Sequence, residues 1–243
     1  MKLHILGCGD AFGSGGRNQS AYLIEAADRL FLLDCGPAAL LAMKRVAIDP
    51  RRLDVIFLSH LHGDHFGGVP FLLIEYLYRE PRTHPLTIAG PPGTEARVRR
   101  LLEVMYSGAK EISFLNFKIL APATPQMIEG IEVLPFRVPH QVDDISLGLK
   151  VRYQGKEILF SGDSAWTDEF IQRARGVDLF LCECSFYREQ PGMHVNYQIL
   201  RAHLERLECK KLLLTHLGEE MLAHSAMLDS RVSLAADGMV IEI

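Results

Sequence analysis

The chain has 243 residues, of which 26 are Lys or Arg and 30 are Asp or Glu, giving a formal net charge of −4. A hydrophobic share of 48% against 23% charged is that of a globular chain, which excludes a disordered tail, a coiled coil and a collagen-like repeat. The slight acidity supplies no global field for DNA, RNA or anionic lipid, so a polyanionic ligand has to be held by a local patch or a metal. No repeat, low-complexity tract or Gly/Ser linker interrupts the sequence, which reads as one domain over 1–243. Apolar runs bounded by Gly and polar turns predict strands at Lys2–Leu6, Ala21–Glu25 and Leu30–Asp34. Pro37 opens a predicted helix to Ala47, at the first turn, where its missing N–H is not needed. The run Leu53–Leu58 reads as a buried strand that delivers the chain to Ser59-His60-Leu61-His62-Gly63-Asp64-His65. Helices are predicted at Phe66–Tyr78 and Thr94–Ser107, with a strand at Leu86–Ala89 between them and Gly90-Pro91-Pro92-Gly93 as the break. Further strands are predicted at Phe117–Leu120, Ile131–Val138, Ser146–Tyr153, Glu157–Ser161, Leu179–Glu183, Lys211–Thr215 and Met239–Ile243, with helices near Asp168–Arg175 and Asn196–Leu207. Two β-rich halves with interspersed helices imply an α+β fold whose sheets pack face to face with helices outside, a four-layer αββα arrangement.

The apolar runs, such as Val69 to Ile74, fall far short of the roughly 20 residues needed to span a bilayer. The N-terminus has no apolar signal core, and the expectation is a cytoplasmic protein with no membrane contact. Cys8, Cys35, Cys182, Cys184 and Cys209 form no CxxC pair and lie in apolar runs, where free cysteine packs as a small hydrophobe. Reduced, structural thiols are expected, with an accessory metal site at Cys182 and Cys184 as the weaker alternative.

Chemistry is concentrated after the strand ends. His60, His62, Asp64 and His65 fall within six residues. Alternate residues on an extended segment point the same way, so His60 and His62 can chelate one ion while Asp64 and His65 turn toward a second. A solvated, His-rich turn would not repeat itself, yet other donors recur directly after apolar strands: His140, Asp163 and His216. Polar residues placed in that register have no packing use, and they imply a rim of metal ligands.

These residues resemble the metallo-β-lactamase superfamily through HxHxDH at His60–His65 and the later His140, Asp163 and His216. Within it the chain is similar to the ribonuclease Z branch. The resemblance covers nearly the whole sequence: Leu6-Gly7-Cys8-Gly9 with Arg17-Asn18-Gln19-Ser20, Leu33-Asp34-Cys35-Gly36, Gly67-Gly68-Val69-Pro70, Gly90-Pro91-Pro92-Gly93, Ser161-Gly162-Asp163-Ser164 and Leu214-Thr215-His216. It implies the metallo-β-lactamase-like αββα sandwich and a dinuclear zinc site, with Mn or Fe as substitutes. By that similarity His60, His62 and His140 bind one ion, Asp64, His65 and His216 the other, and Asp163 bridges them.

Glu183 in Cys182-Glu183-Cys184-Ser185-Phe186 and His194 in Gly192-Met193-His194-Val195-Asn196 match that branch as an acidic residue and a non-ligand histidine. The implied chemistry is hydrolysis of a phosphodiester. Asp64 ligates and accepts the nucleophile's proton, and His194, poised by Glu183, donates to the departing alkoxide. Asp34 is expected to orient a ligand histidine. The branch's Gly/Pro- and Lys-rich tRNA-clasping arm has no counterpart between Ala121 and Glu132, which points to a small phosphodiester or a short RNA end, and relatives of this branch are commonly homodimers. Arg97, Arg99 and Arg100 read as a solvated helix face. Two alternatives stand beside this reading: a carboxylic-ester, lactone, thioester or sulfate-ester hydrolase on the same scaffold, and a non-catalytic metal- or nucleic-acid-binding module.

Overall fold

A computed structural model describes residues 1–243 except Glu80, Thr83, Lys110, Glu111, Glu189 and Pro191. The first sheet is built from β1 (Lys2–Gly7), β2 (Ala21–Glu25), β3 (Leu30–Leu33), β4 (Val55–Phe57), β5 (Leu86–Gly90) and β6 (Leu115–Ile119). The second contains β7 (Gln126–Ile128), β8 (Ile131–Arg137), β9 (Leu147–Tyr153), β10 (Lys156–Phe160), β11 (Leu179–Glu183), β12 (Leu212–Thr215) and β13 (Val232–Leu234). The last strand, β14 (Val240–Glu242), returns to the first sheet beside β1, so the orders are β14-β1-β2-β3-β4-β5-β6 and β13-β12-β11-β10-β9-β8-β7. Each half follows one plan. An antiparallel meander comes first, β1–β3 in one sheet and β7–β10 in the other, and parallel strands then extend the sheet, from β3 to β6 and from β10 to β13.

The period-2 pattern of the strands decides the layers. In β2, Tyr22 and Ile24 face the second sheet while Leu23 faces the helices; in β3, Phe31 and Leu33 point inward and Leu32 outward. In β11, Leu179 and Leu181 join the central layer, and Phe180 and Cys182 pack on the opposite face. The outer face of the first sheet is covered by α1 (Ala39–Arg45), α3 (Val69–Ile74) and α4 (Thr94–Met105). That of the second carries α5 (Glu169–Ala174), α6 (Tyr197–His203) and α7 (Glu219–Ala223). The result is the four-layer αββα sandwich of an α+β fold.

The element between β4 and α3 departs from the expected single helix over Phe66–Tyr78. The chain forms a short α2 (Gly63–Phe66), then α3, then a π-helical turn at Glu75–Arg79. At the break the Gly68 amide donates to the Cys35 carbonyl at 2.8 Å instead of to a carbonyl within a helix, and a Cβ on Gly68 would lie 2.1 Å from the Gly36 carbonyl oxygen, so backbone meets backbone there and only glycine fits. Strands β7 and β13 and helix α7, each three to five residues long, have no counterpart in the sequence reading. All five cysteines are free, four of them buried, and burial raises the Cys182 and Cys184 thiols well above their usual range. Among the described residues no helix is long and apolar enough to cross a membrane.

Candidate metal centre

Every sequence-expected ligand lies in a loop or short helix at the same rim, beyond the ends of the strands. His60 follows β4, His62 stands at the N-terminus of α2, and Asp64 and His65 lie within that helix. His140 follows β8, Asp163 follows β10 and His216 follows β12, the last with a left-handed φ of 52° that turns the chain sharply. The ligating atoms of His60, His62 and His140 lie within 4.8 Å of one another, and so do those of Asp64, His65, Asp163 and His216. Oδ2 of Asp163 is 3.9 Å from Nε2 of both His60 and His140 and 3.2 Å from Nε2 of both His65 and His216. It therefore stands between the two groups.

The orientation of each imidazole follows from its outer partner. The Ser59 hydroxyl donates to Asp34, so it can only accept from Nδ1 of His60, 3.0 Å away. Ser185 repeats the device, donating to Glu183 and accepting from Nδ1 of His216 at 2.8 Å. Nδ1 of His65 donates to Asp34 at 2.7 Å and Nδ1 of His140 to the Met193 carbonyl at 3.0 Å. Four rings thus carry their proton outward and present Nε2 to the centre. His62 is reversed, its Nδ1 lying 3.2 Å from Nε2 of His140 and its Nε2 meeting the Gln141 amide.

Metal ions fit this arrangement. Nε2 of His60 and of His65 are buried with no hydrogen-bond partner. A tetrahedral ion with ligands at about 2.0–2.1 Å separates its donors by roughly 3.4 Å, and His65 and His216 lie 3.2 and 3.4 Å from Oδ2 of Asp64. Burial, reinforced by His65, holds His60 well below the usual imidazole range, and burial with His140 lowers His62, so both keep a lone pair. Burial opposes ionisation of Asp64 and Asp163, but the His216 and His65 imidazoles outweigh it and hold both carboxyls low. Burial likewise opposes charge on His65, yet Asp163 and Asp34 raise it well above its usual range; a cation at Nε2 answers the same carboxylates.

Beside the ligands lies a second pair. Glu183 is 1% exposed and is held by the Ser164 amide and the Ser185 hydroxyl, and its Oε1 is 2.8 Å from Nδ1 of His194. Burial alone would lower His194, but the bond to Glu183 and its charge push it up to about 9. The His194 ring stacks on His216 at 5.2 Å and lines the same 520 Å³ cavity as His62, Asp64, His140, Asp163 and His216.

The profile of the family described as Anti-Pycsar protein Apyc1 matches residues 1–241. The chain belongs to that family. Relatives of this Apyc1-family chain include a ribonuclease Z of Parabacteroides distasonis, 33% identical over 143 residues, which are 58% of this chain and 46% of that enzyme. The ribonuclease Z of Anoxybacillus flavithermus is 26% identical over 98% of this chain and 96% of its own. Bacillus subtilis YhfI, named a probable metallo-hydrolase, is 25% identical over 89% and 87%. Its crystal structure, a metallo-β-lactamase fold protein, superposes with a TM-score of 0.82 over 99% of each chain at 24% identity. The Apyc1-family chain is thus a metallo-β-lactamase-fold member of a metallo-hydrolase group that includes ribonuclease Z, with a His/Asp cluster suited to metal.

Three features of the site go beyond the sequence reading. Ser59 and Ser185 set tautomers, and their only sequence signal is that Ser59 precedes His60 and Ser185 lies two residues after Glu183. The Met193 carbonyl gives none. Arg97, Arg99 and Arg100 do lie on an exposed helix face, and Arg97 in addition donates to the Leu61 carbonyl and pairs with Asp144, tying α4 to two loops of the rim.

Proposed function

We propose that the protein hydrolyses small, nucleotide-like phosphodiesters at a dinuclear metal site, with zinc as the favoured ion. His60, His62 and His140 hold one ion, Asp64, His65 and His216 the other, and Asp163 serves both. Held by these residues, two divalent cations would supply charge neutralisation at the scissile phosphate and would lower the pKa of a bound water. Asp64 accepts the proton that the attacking water loses. His194, fixed at Nδ1 by Glu183, offers the proton on Nε2 to the departing alkoxide. The observation that carries this reading is the pairing of buried Glu183 with a partly exposed His194 that opens into the ligand-lined cavity. A phosphodiester with an alkyl leaving group needs such an acid.

A small substrate is favoured over tRNA for two reasons. The span from Ala121 to Glu132 holds the β7–β8 hairpin, closed by Glu129 and Gly130, both at positive φ, so no arm projects there. Among the described residues, those lining the cavity include Glu219 and Glu220 and no Lys or Arg, which disfavours a long polyanion.

The test compares leaving groups. His194→Ala lowers kcat on a dinucleotide, whose leaving group is an alkoxide, by about 10²- to 10⁴-fold. On bis-p-nitrophenyl phosphate, whose leaving group departs unaided, the loss is much smaller, and metal content stays at wild type. Equal losses on both substrates would remove the acid, and hydrolysis of a lactone, thioester or sulfate ester with no phosphodiester turnover would overturn the reading.

A further inference from the structure

The segment between β1 and β2 carries Phe12 with 92% of its surface exposed. Lone exposed hydrophobics are ordinary, but among the described large ones that are exposed, Phe12 alone lines the cavity above the metal ligands. Its loop is braced to keep it there. The Asp10 carboxylate, 8% exposed, accepts the backbone amides of Phe12 at 3.1 Å and Ser14 at 3.0 Å, and the Ser14 hydroxyl at 2.7 Å. Gly13, Gly15 and Gly16 all take left-handed φ values, between 63° and 73°, which turn the chain tightly just after Phe12. The base of the loop is tied to the segment after β12: the Leu217 amide donates to the Cys8 carbonyl at 3.0 Å, one residue from His216. The backbone that carries Phe12 is therefore held relative to the metal ligands. Phe186, whose ring lies 6.2 Å from that of His194, supplies a second aromatic wall of the same cavity.

We infer that Phe12 is a specificity-determining residue that stacks on a planar heteroaromatic ring of the substrate, such as a nucleobase, while the phosphodiester reaches the ligands below. The assignment rests on the reading of a nucleotide-like phosphodiester and adds the residue that contacts the ring. A rigid, exposed ring suits this role because every base has a π-face, and stacking needs no hydrogen-bond readout.

Two measurements on the metal-replete enzyme test it. The first compares thymidine 5′-(p-nitrophenyl phosphate) with ethyl p-nitrophenyl phosphate, which share a leaving group and differ in the ring. Phe12→Ala lowers the ratio of their kcat/KM values about tenfold, chiefly through KM, and Phe12→Trp restores it. A loop acting only as a structural prop, or as a contact between two copies of the chain, lowers both substrates together and leaves the ratio unchanged, which would overturn the inference. The second needs no turnover: by calorimetry, Phe12→Ala binds thymidine 5′-monophosphate about tenfold more weakly than wild type relative to 2-deoxyribose 5-phosphate. If wild type hydrolyses neither ester, the phosphodiesterase reading fails. An unchanged binding ratio instead defeats the role of Phe12 alone.

Discussion

Asp34 shows how much of this site depends on single atoms behind it. It is fully buried at the end of β3 with a left-handed φ of 57°, and its two oxygens hold the Ser59 amide, the Ser59 hydroxyl and Nδ1 of His65. One carboxylate thereby fixes His65 directly and His60 through Ser59, and by the assignment proposed above these belong to different ions. Asp34→Asn keeps the size and tolerates the backbone but loses the charge and one acceptor; its affinity for metal falls about 10- to 100-fold, read by competition with a chromophoric chelator. Unchanged affinity in a folded variant would show that the ligands are held without it. His140, Asp163 and His216 were legible from their places directly after apolar strands, where a polar residue has nothing to pack against, and His60, His62, Asp64 and His65 from their clustering within six residues, whereas the orienting role of Asp34 came from the family resemblance. Ser185 was not legible, since its role depends on two residues far apart in sequence meeting at one hydroxyl.

At the level of elements, tight backbone contacts and strand-end charges position the rim. Gly68→Ala forces a methyl group against the Gly36 carbonyl, which cannot swing aside as a side chain can. The expected loss is about 2–3 kcal/mol in denaturant unfolding, with weaker metal binding because α2 and α3 shift together. Between β10 and β11, Asp178 accepts the Glu157 amide at 2.9 Å and Lys210 at 2.8 Å, and the bond to Lys210 leads in holding its carboxyl below the usual range. A carboxyl lowered on folding stabilises the protein above its unfolded pKa, and that contribution disappears as pH falls through the folded value. Asp178→Asn therefore loses about 1 kcal/mol at pH 7, and the difference from wild type shrinks below about pH 4. A difference that persists in acid would assign the effect to packing. The long, strongly patterned strands were readable because both faces of β2, β3 and β11 are buried in continuous apolar runs. Strands β7 and β13 are three residues each and, unlike β4, do not sit in a longer apolar run, and the break between α2 and α3 was hidden because it lies at a contact with Cys35 and Gly36, over thirty residues earlier.

Across the molecule, the candidate ligands come from loops of both sheets, so bound ions join the two halves at one end. Removing them with a chelator lowers the melting temperature: at a free ion concentration about 1,000 times Kd the linkage is about 4 kcal/mol, or roughly 10 °C for a chain of this size. A melting curve indifferent to chelation would show that the sheets hold without ions. The two-sheet architecture itself was readable from composition and the repeated strand rhythm. The choice of neighbours was not, since β14 lies beside β1 rather than beside β13.

That return of the last strand has a consequence for biosynthesis. The HxHxDH turn emerges early, when His140, Asp163 and His216 have yet to be made. A growing chain therefore offers a passing ion only part of the donor set, and a cation taken up too soon has few partners to retain it. The first sheet gains its outer strand only when β14 arrives, after His216 has left the ribosome. Completion of the fold and loading of metal are consequently late events, and a chain stalled before residue 216 is expected to be both metal-poor and open along the free edge of β1.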